Sequence, residues 1–237
     1  MKKIIYYTIV ILLISCSIQP KKLPWKNQEF EDYLTSINVS FKVKEETGEV
    51  YSLDNDVNKL YDKYYSGFIK HDRRISLENN PYLKVNKVYV DFRSYDSFDI
   101  YVFGNDGQFG MKYNAKVDGK NFELTTDGYV KTKQPVLISN FGDFEIKDDF
   151  LKTRKYSKSP YAEWYDYVNG TVKNDTIFMT EAYQGKDTYS FKKHWTASRK
   201  KRDYKIIYQP NFKIWVTKAH GTTVLTSFVI EGEFSTK

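Results

Sequence analysis

The sequence predicts a mainly β protein: an antiparallel meander forming a barrel or a sandwich, preceded by one or two short N-terminal helices. Three observations carry this. From about residue 66 onward, apolar residues recur at every second position, as in Val88-Val90-Phe92, Phe98-Ile100-Val102 and Phe109-Met111-Tyr113. That period of two places one side of each segment against a core. The runs are separated by turn residues, Asn105-Asp106-Gly107, Asp118-Gly119 and Asp127-Gly128. Asp-Gly between two alternating runs is a strong hairpin signal, because it supplies the positive φ that a tight turn requires. Finally, aromatic residues make up 17% of the chain, with 21 Tyr and 16 Phe. These types suit a pleated, half-buried surface.

The chain begins with Met1-Lys2-Lys3 and an uncharged run from Ile4 to Ile14. A spanning helix needs about 20 apolar residues, so this run is too short to cross a bilayer. It fits the apolar region of an export signal covering residues 1–15. Leu13-Ile14-Ser15-Cys16 then resembles the lipobox of bacterial lipoproteins. The resemblance implies cleavage before Cys16, a thioether from Cys16 to diacylglycerol, and acylation, such as palmitate, on the new amine. Two or more acyl chains anchor a protein stably, at about 0.8 kcal/mol per buried methylene. Ser17 stands where proteobacterial lipoproteins held at the inner membrane tend to carry Asp. This implies the outer membrane, and the absence of an acidic run after Cys16 implies a periplasm-facing body. Cys16 is also the sole cysteine, so the exported domain has no internal disulfide.

Residues 16–25 read as a flexible tether, with Pro20, Pro24, Lys21 and Lys22 opposing regular structure. Residues 26–237 read as a single β-rich domain. Phe30, Tyr33, Leu34 and Ile37 stand on one face of a helix over about 27–37. Val39, Phe41 and Val43 alternate as a strand, and Glu45-Glu46-Thr47-Gly48 reads as a turn. A second helical face appears at Val57, Leu60, Tyr61 and Tyr64, with Asp54 or Asp56 as the N-cap. After the runs already named come Phe122 and Leu124, then runs at 136–146, 163–173, 175–183, 187–195, 204–208, 212–219 and 223–230. The polar stretch 147–162, which carries Pro160, reads as a long loop or a seam between sub-sheets.

The formal charge is +7, and losing Lys2 and Lys3 with the signal leaves about +5. With an export signal ahead of it, so mild a bias points away from nucleic acid. Asp54-x-Asp56-x-Asn58 starts like a calcium loop but has Lys59 where Gly is needed and Tyr65 where Glu is needed. Gly104, Gly107 and Gly110 lie between strands, so they read as a hairpin turn and not as a phosphate-binding loop. His71, His194 and His220 lack neighbouring ligands at metal spacing. The sequence thus selects no metal site, no cofactor and no catalytic residue.

Three features are left as candidate sites. Arg199-Lys200-Lys201-Arg202 is the densest basic run and reads either as an anion contact, for phosphate-bearing lipid or acidic glycan, or as a solvated hairpin loop. Asp175-Thr176-Ile177 resembles the acceptor triplet for O-glycosylation in Bacteroides-type bacteria, with Thr176 carrying the glycan. Trp164, Trp195 and Trp215, with Tyr165, Tyr167 and Tyr189, read as core residues or as the lining of a sugar or lipid site. Taken over the whole mature chain, the order of lipobox, short helix and many strands is similar to uncharacterised lipoproteins common in Bacteroidetes, some with lipocalin-like barrels. The expectation is a binding or structural module, anchored to the membrane by lipid, that holds a lipid, a glycan or an envelope protein. The alternative is an envelope glycan hydrolase using two carboxylates from separate strands.

Overall fold

The computed structural model describes residues 27–43, 50–52, 59–185, 199–219 and 225–236. The chain divides into two compact units, the first Met1–Ile69 and the second Lys70–Lys237. In the first unit, helix α1 spans Asn27–Ser36. It ends where Asn38 takes a left-handed φ of 56° and Val39 N–H donates to the Leu34 carbonyl at 3.0 Å, the usual way of satisfying a helix's last carbonyls. Phe30, Tyr33 and Leu34 are buried with Phe68, while Ile37 is mostly outside this cluster and exposed. Phe68 lies on helix α2, Lys59–Glu78. Gly67 lets Tyr33 pack close, since a Cβ there would strike the Tyr33 ring and hydroxyl. Strands β1 (Phe41–Val43) and β2 (Val50–Ser52) form a separate antiparallel pair. The proposed turn at 45–48 and the incomplete calcium motif at 54–58 lie outside the described residues.

Helix α2 continues twelve residues beyond the point at which the sequence pattern turns to β. Its second half buries Phe68 and Leu77 and leaves most other positions to solvent, so it carries little apolar periodicity. It stops at Glu78, shortly before Pro81, and the Asn80 Oδ1 accepts from the N–H groups of Tyr82 and Leu83, both at 2.9 Å.

The second unit is a closed eight-stranded antiparallel barrel with a smaller sheet beside it. Its wall is made of β3 (Val88–Ser94), β4 (Ser97–Phe103), β5 (Gln108–Lys116), β9 (Asn140–Lys147), β10 (Phe150–Ser159), β11 (Ala162–Lys173), β12 (Thr176–Gly185) and β13 (Lys200–Gln209). Each strand pairs with the next, and β13 closes on β3. The meander is interrupted once, between β5 and β9, by β6 (Phe122–Leu124), β7 (Tyr129–Thr132) and β8 (Val136–Ile138). These three pair with one another or with the C-terminal hairpin of β14 (Phe212–Ala219) and β15 (Leu225–Ser235) to make the second sheet. The stretch 147–162 is therefore strand β10 and its turn, not a loop. It is polar because Thr153 and Lys155 point into a polar part of the barrel while alternate residues face outward.

The turn chemistry is local. Gly107 has φ 79° between β4 and β5, and a Cβ there would collide with the Arg73 guanidinium. Asn174 and Asp175 both have positive φ between β11 and β12, as a two-residue hairpin requires.

Strand β4 is buried along its whole length. Its outward residues Phe98, Ile100 and Val102 pack under the second sheet with Phe122, Val130, Ile138, Phe228 and Phe234. Phe98 meets Phe234 and Phe122 edge-on at 4.9 and 5.1 Å. Its inward residues Tyr101 and Phe103 join Tyr89, Phe109, Phe144, Leu151, Val172, Ile177 and Ile206 inside the barrel, with Leu77 and Leu83 in the same cluster.

Candidate functional site

Alternation along β10 to β13 decides what faces the barrel interior. On β13, Lys200, Arg202, Tyr204 and Ile206 share one face, and Ile206 is in the interior core. On β10 the same face carries Leu151, Thr153 and Lys155, and on β11 Val172, Val168 and Asp166. The ends of these strands away from the β4–β5 turn surround a cavity of about 550 Å³, within the usual range for small-molecule sites. We refer to this half of the barrel as the upper half.

One side of the cavity is aromatic: Phe109, Tyr113 and Phe141, from β5 and β9. Phe141 meets Phe109 and Tyr113 edge-on, at 5.6 and 5.0 Å. The other side carries Lys155, Asp166, Gln184, Lys200 and Arg202. The Lys155 ammonium lies 4.6 Å from the Phe141 ring centroid, a cation–π distance. Asp166 is fully engaged: it accepts from Ser157 Oγ at 2.6 Å, Gln184 Nε2 at 2.9 Å and Trp164 Nε1 at 3.1 Å. No carboxylate is paired with Lys155, Lys200 or Arg202 among the described residues. The site therefore combines an apolar wall with three cations, none in a salt bridge among the described residues, and the single carboxylate Asp166.

A second polar group lies in the same half, between β3, β4 and β13. Asp91 and Asp99 face each other in register, and Arg93 lies between them. The Arg93 Nε is 2.9 Å from Asp91 Oδ2 and donates to Asp99 Oδ2 at 2.9 Å. A bulge in the β4–β5 pairing frees Asn114 N–H to donate to Asp99 Oδ1 at 2.8 Å. Asp91 Oδ2 is close to the guanidinium but receives no directed hydrogen bond. Burial pushes Asp91 up to about 6; Arg93 opposes this and Asp99 adds to it. Burial likewise raises the Tyr101 and Tyr204 hydroxyls. The Arg93 guanidinium stacks over Tyr204 at 4.8 Å. This contact spans the place where β3 and β13 part, since their pairing is confined to Val88–Val90 against Ile207–Gln209.

The basic run Arg199–Arg202 is thus split by the strand, not presented as a loop. Lys200 and Arg202 line the cavity. Arg199 is held by Glu181 at 2.8 Å and lies over Tyr183, and Lys201 pairs in register with Glu181 on the outer face. Thr176 is the first residue of β12, beside the Asn174-Asp175 turn and far along the strand from the cavity. Tyr167 is fully buried, stacks on Tyr183 at 4.9 Å and lines the cavity together with it; Trp215 is 46% exposed on β14. Cys16, Trp195, Tyr189, His194 and His220 lie outside the described residues. Lys155, Asp166, Phe141 and Gln184 were not singled out in the sequence, and Tyr113 was read only as part of an alternating run. For Lys155, Asp166 and Gln184 the only signal is a polar residue at an inward position of a strand.

A two-carboxylate hydrolase would place its pair in a cleft. Here Asp166 is the carboxylate lining the cavity, and three donors occupy it. Asp91 and Asp99 are 3% and 2% exposed and are tied to Arg93. Among the described residues no group of three or more His, Cys, Asp or Glu is placed to hold a metal ion, and no helix is long and apolar enough to cross a membrane. No protein-family model, no curated protein and no solved structure matches this chain.

Proposed function

We propose that this protein is a lipid-anchored envelope lipoprotein whose barrel binds an anionic amphiphile, a molecule with a flat or chain-like apolar part and a carboxylate, sulfate or phosphate head. The anchor is Cys16, supported by the basic start, the uncharged run and Leu13-Ile14-Ser15-Cys16. The observation that carries the ligand class is the cavity: Phe109, Tyr113 and Phe141 on one side, Lys155, Lys200 and Arg202 on the other. The apolar part gains from leaving water at about 25 cal/mol per Å², and the head meets cations already held by strands. A glycan on Thr176 would stand at the opposite end of β12 and leave the cavity clear.

The reading is tested with the Cys16→Ala variant of the full chain. It should lose lipid labelling and membrane association; retention of both would remove the anchor from the proposal. The same variant, titrated with a dansyl-labelled fatty acid, should show saturable fluorescence that unlabelled fatty acid competes away. Ala182→Phe fills the cavity from β12 and should abolish that signal. Binding that survives the filled cavity would overturn the ligand site.

A further inference from the structure

Large apolar side chains are scattered singly over most protein surfaces and mean little by themselves. Two here differ from the rest in degree and in place. Tyr95 is 104% exposed and Tyr161 is 97% exposed, whereas the next most exposed large apolar residue among those described, Leu137, is at 55%. Tyr95 sits in the turn between β3 and β4, and Tyr161 in the turn between β10 and β11. Both turns are at the upper end of the barrel, because antiparallel pairing puts alternate connections at alternate ends. In the closed strand order these two hairpins are separated by two strands on either side, so the tyrosines stand on opposite sides of the barrel, with the cavity between them.

Charge at this end is asymmetric in its pairing. Asp96 is paired with Lys116 at 3.0 Å, Asp166 and Glu163 accept hydrogen bonds from neutral donors, and Asp203 is exposed beside Arg202 on β13. Lys155, Lys158, Lys200 and Arg202 form no salt bridge among the described residues, although Asp166 and Glu163 stand opposite Lys155 and Lys158 in register. Tyrosine favours the headgroup level of a bilayer, with its ring in the apolar margin and its hydroxyl in water. Unpaired lysines and arginines are drawn to anionic headgroups and are released by salt.

We infer that the upper end of the barrel docks on an anionic lipid bilayer, with Tyr95 and Tyr161 entering the interface on either side and Lys158, Lys200 and Arg202 meeting the headgroups. This inference stands on the two turns and the unpaired cations, and it holds whatever the cavity binds.

Cys16 is the sole cysteine, which makes a site-resolved test simple. In the full chain carrying Cys16→Ser, single thiols are introduced by Tyr95→Cys, Tyr161→Cys or, at the lower end, Lys173→Cys, and labelled with the polarity-sensitive dye NBD. Vesicles of phosphatidylglycerol and phosphatidylcholine should brighten NBD at 95 and at 161 severalfold and leave 173 unchanged. Phosphatidylcholine alone, or high salt, should largely remove the response. Lys158→Glu should raise the vesicle concentration needed by about tenfold while leaving fatty-acid binding, measured without vesicles, unaffected. Silence at 95 and 161, or an equal response at 173, would overturn the docking face. A loss of fatty-acid binding would instead count against the cavity reading, so the two failures are separable.

Discussion

In the lower half of the barrel the inward positions are Tyr89, Phe103, Phe144, Leu151, Val172, Ile177 and Ile206, and none is more than 1% exposed. In the upper half the same strands carry Asp91, Arg93, Asp99, Lys155, Asp166, Lys200 and Arg202 at inward positions. The lower half is filled; the upper half encloses about 550 Å³. A close-packed apolar interior gives stability but no room for a ligand. The charges that are buried there, Asp91 and Asp99, sacrifice some of that stability, because each must be paired to offset its desolvation, here by Arg93. The division therefore separates the work: the lower half supplies folding free energy, and the upper half has recognition chemistry that the lower half could not house.

The largest effect should come from breaking the filled half. Phe144→Ala removes a ring that is 0% exposed and meets Phe103 edge-on at 5.1 Å, and it should cost about 3–5 kcal/mol, read as a shift in the urea midpoint. Tyr113→Ala, at a ring that is 52% exposed in the upper half, should cost well under half of that. Equal losses would mean that the two halves contribute alike.

Next in size is the buried carboxylate. Asp91 in the folded chain is pushed up to about 6, above its unfolded value of about 3.9. Between these values the native state holds a proton that the unfolded state has lost, so this residue makes stability fall as pH rises from about 4 to 6 and stay low above that. Asp91→Asn should therefore flatten that part of the profile. It should also raise stability at pH 8 by about 1 kcal/mol, the relief of desolvation less the lost attraction to Arg93. Urea titrations at pH 5 and pH 8 measure both. A variant that keeps the slope would show that another group carries it.

A similar size is expected at the cavity cations, but in binding. Arg202→Gln should weaken the dansyl-labelled fatty acid by about tenfold, or about 1.4 kcal/mol, and move the urea midpoint little, since the side chain is exposed. Arg199→Gln serves as the comparison: its guanidinium belongs to Glu181, so binding should hold. The smallest effect is on stability in Ala182→Phe. Because the added ring enters space that is already empty, the cost should stay under about 1 kcal/mol, below the usual range for an overpacked core.

Much of this was legible from the chain alone. Strands β11, β12 and β14 begin and end within two residues of the predicted runs, because alternation acts over a few residues. The second half of α2 was not legible, since Leu77 is the only buried residue over 69–78 and leaves a weak period. Strand β10 was missed because a strand with polar residues inside and outside looks like a loop. The basic run was seen, but its division was not: Lys200 and Arg202 turn inward while Arg199 turns to Glu181, and that depends on β13 being a strand at all.

By itself, the sequence determined the class of fold, most of its turns and the lipobox at Cys16, all written in local patterns of period, turn chemistry and spacing. The tertiary structure decided the closure of β13 on β3, the burial of β4 on both faces, and the meeting of Phe141, Lys155 and Arg202 around one cavity. Those contacts join residues far apart in the chain, and a local pattern carries no information about which distant strand it will face.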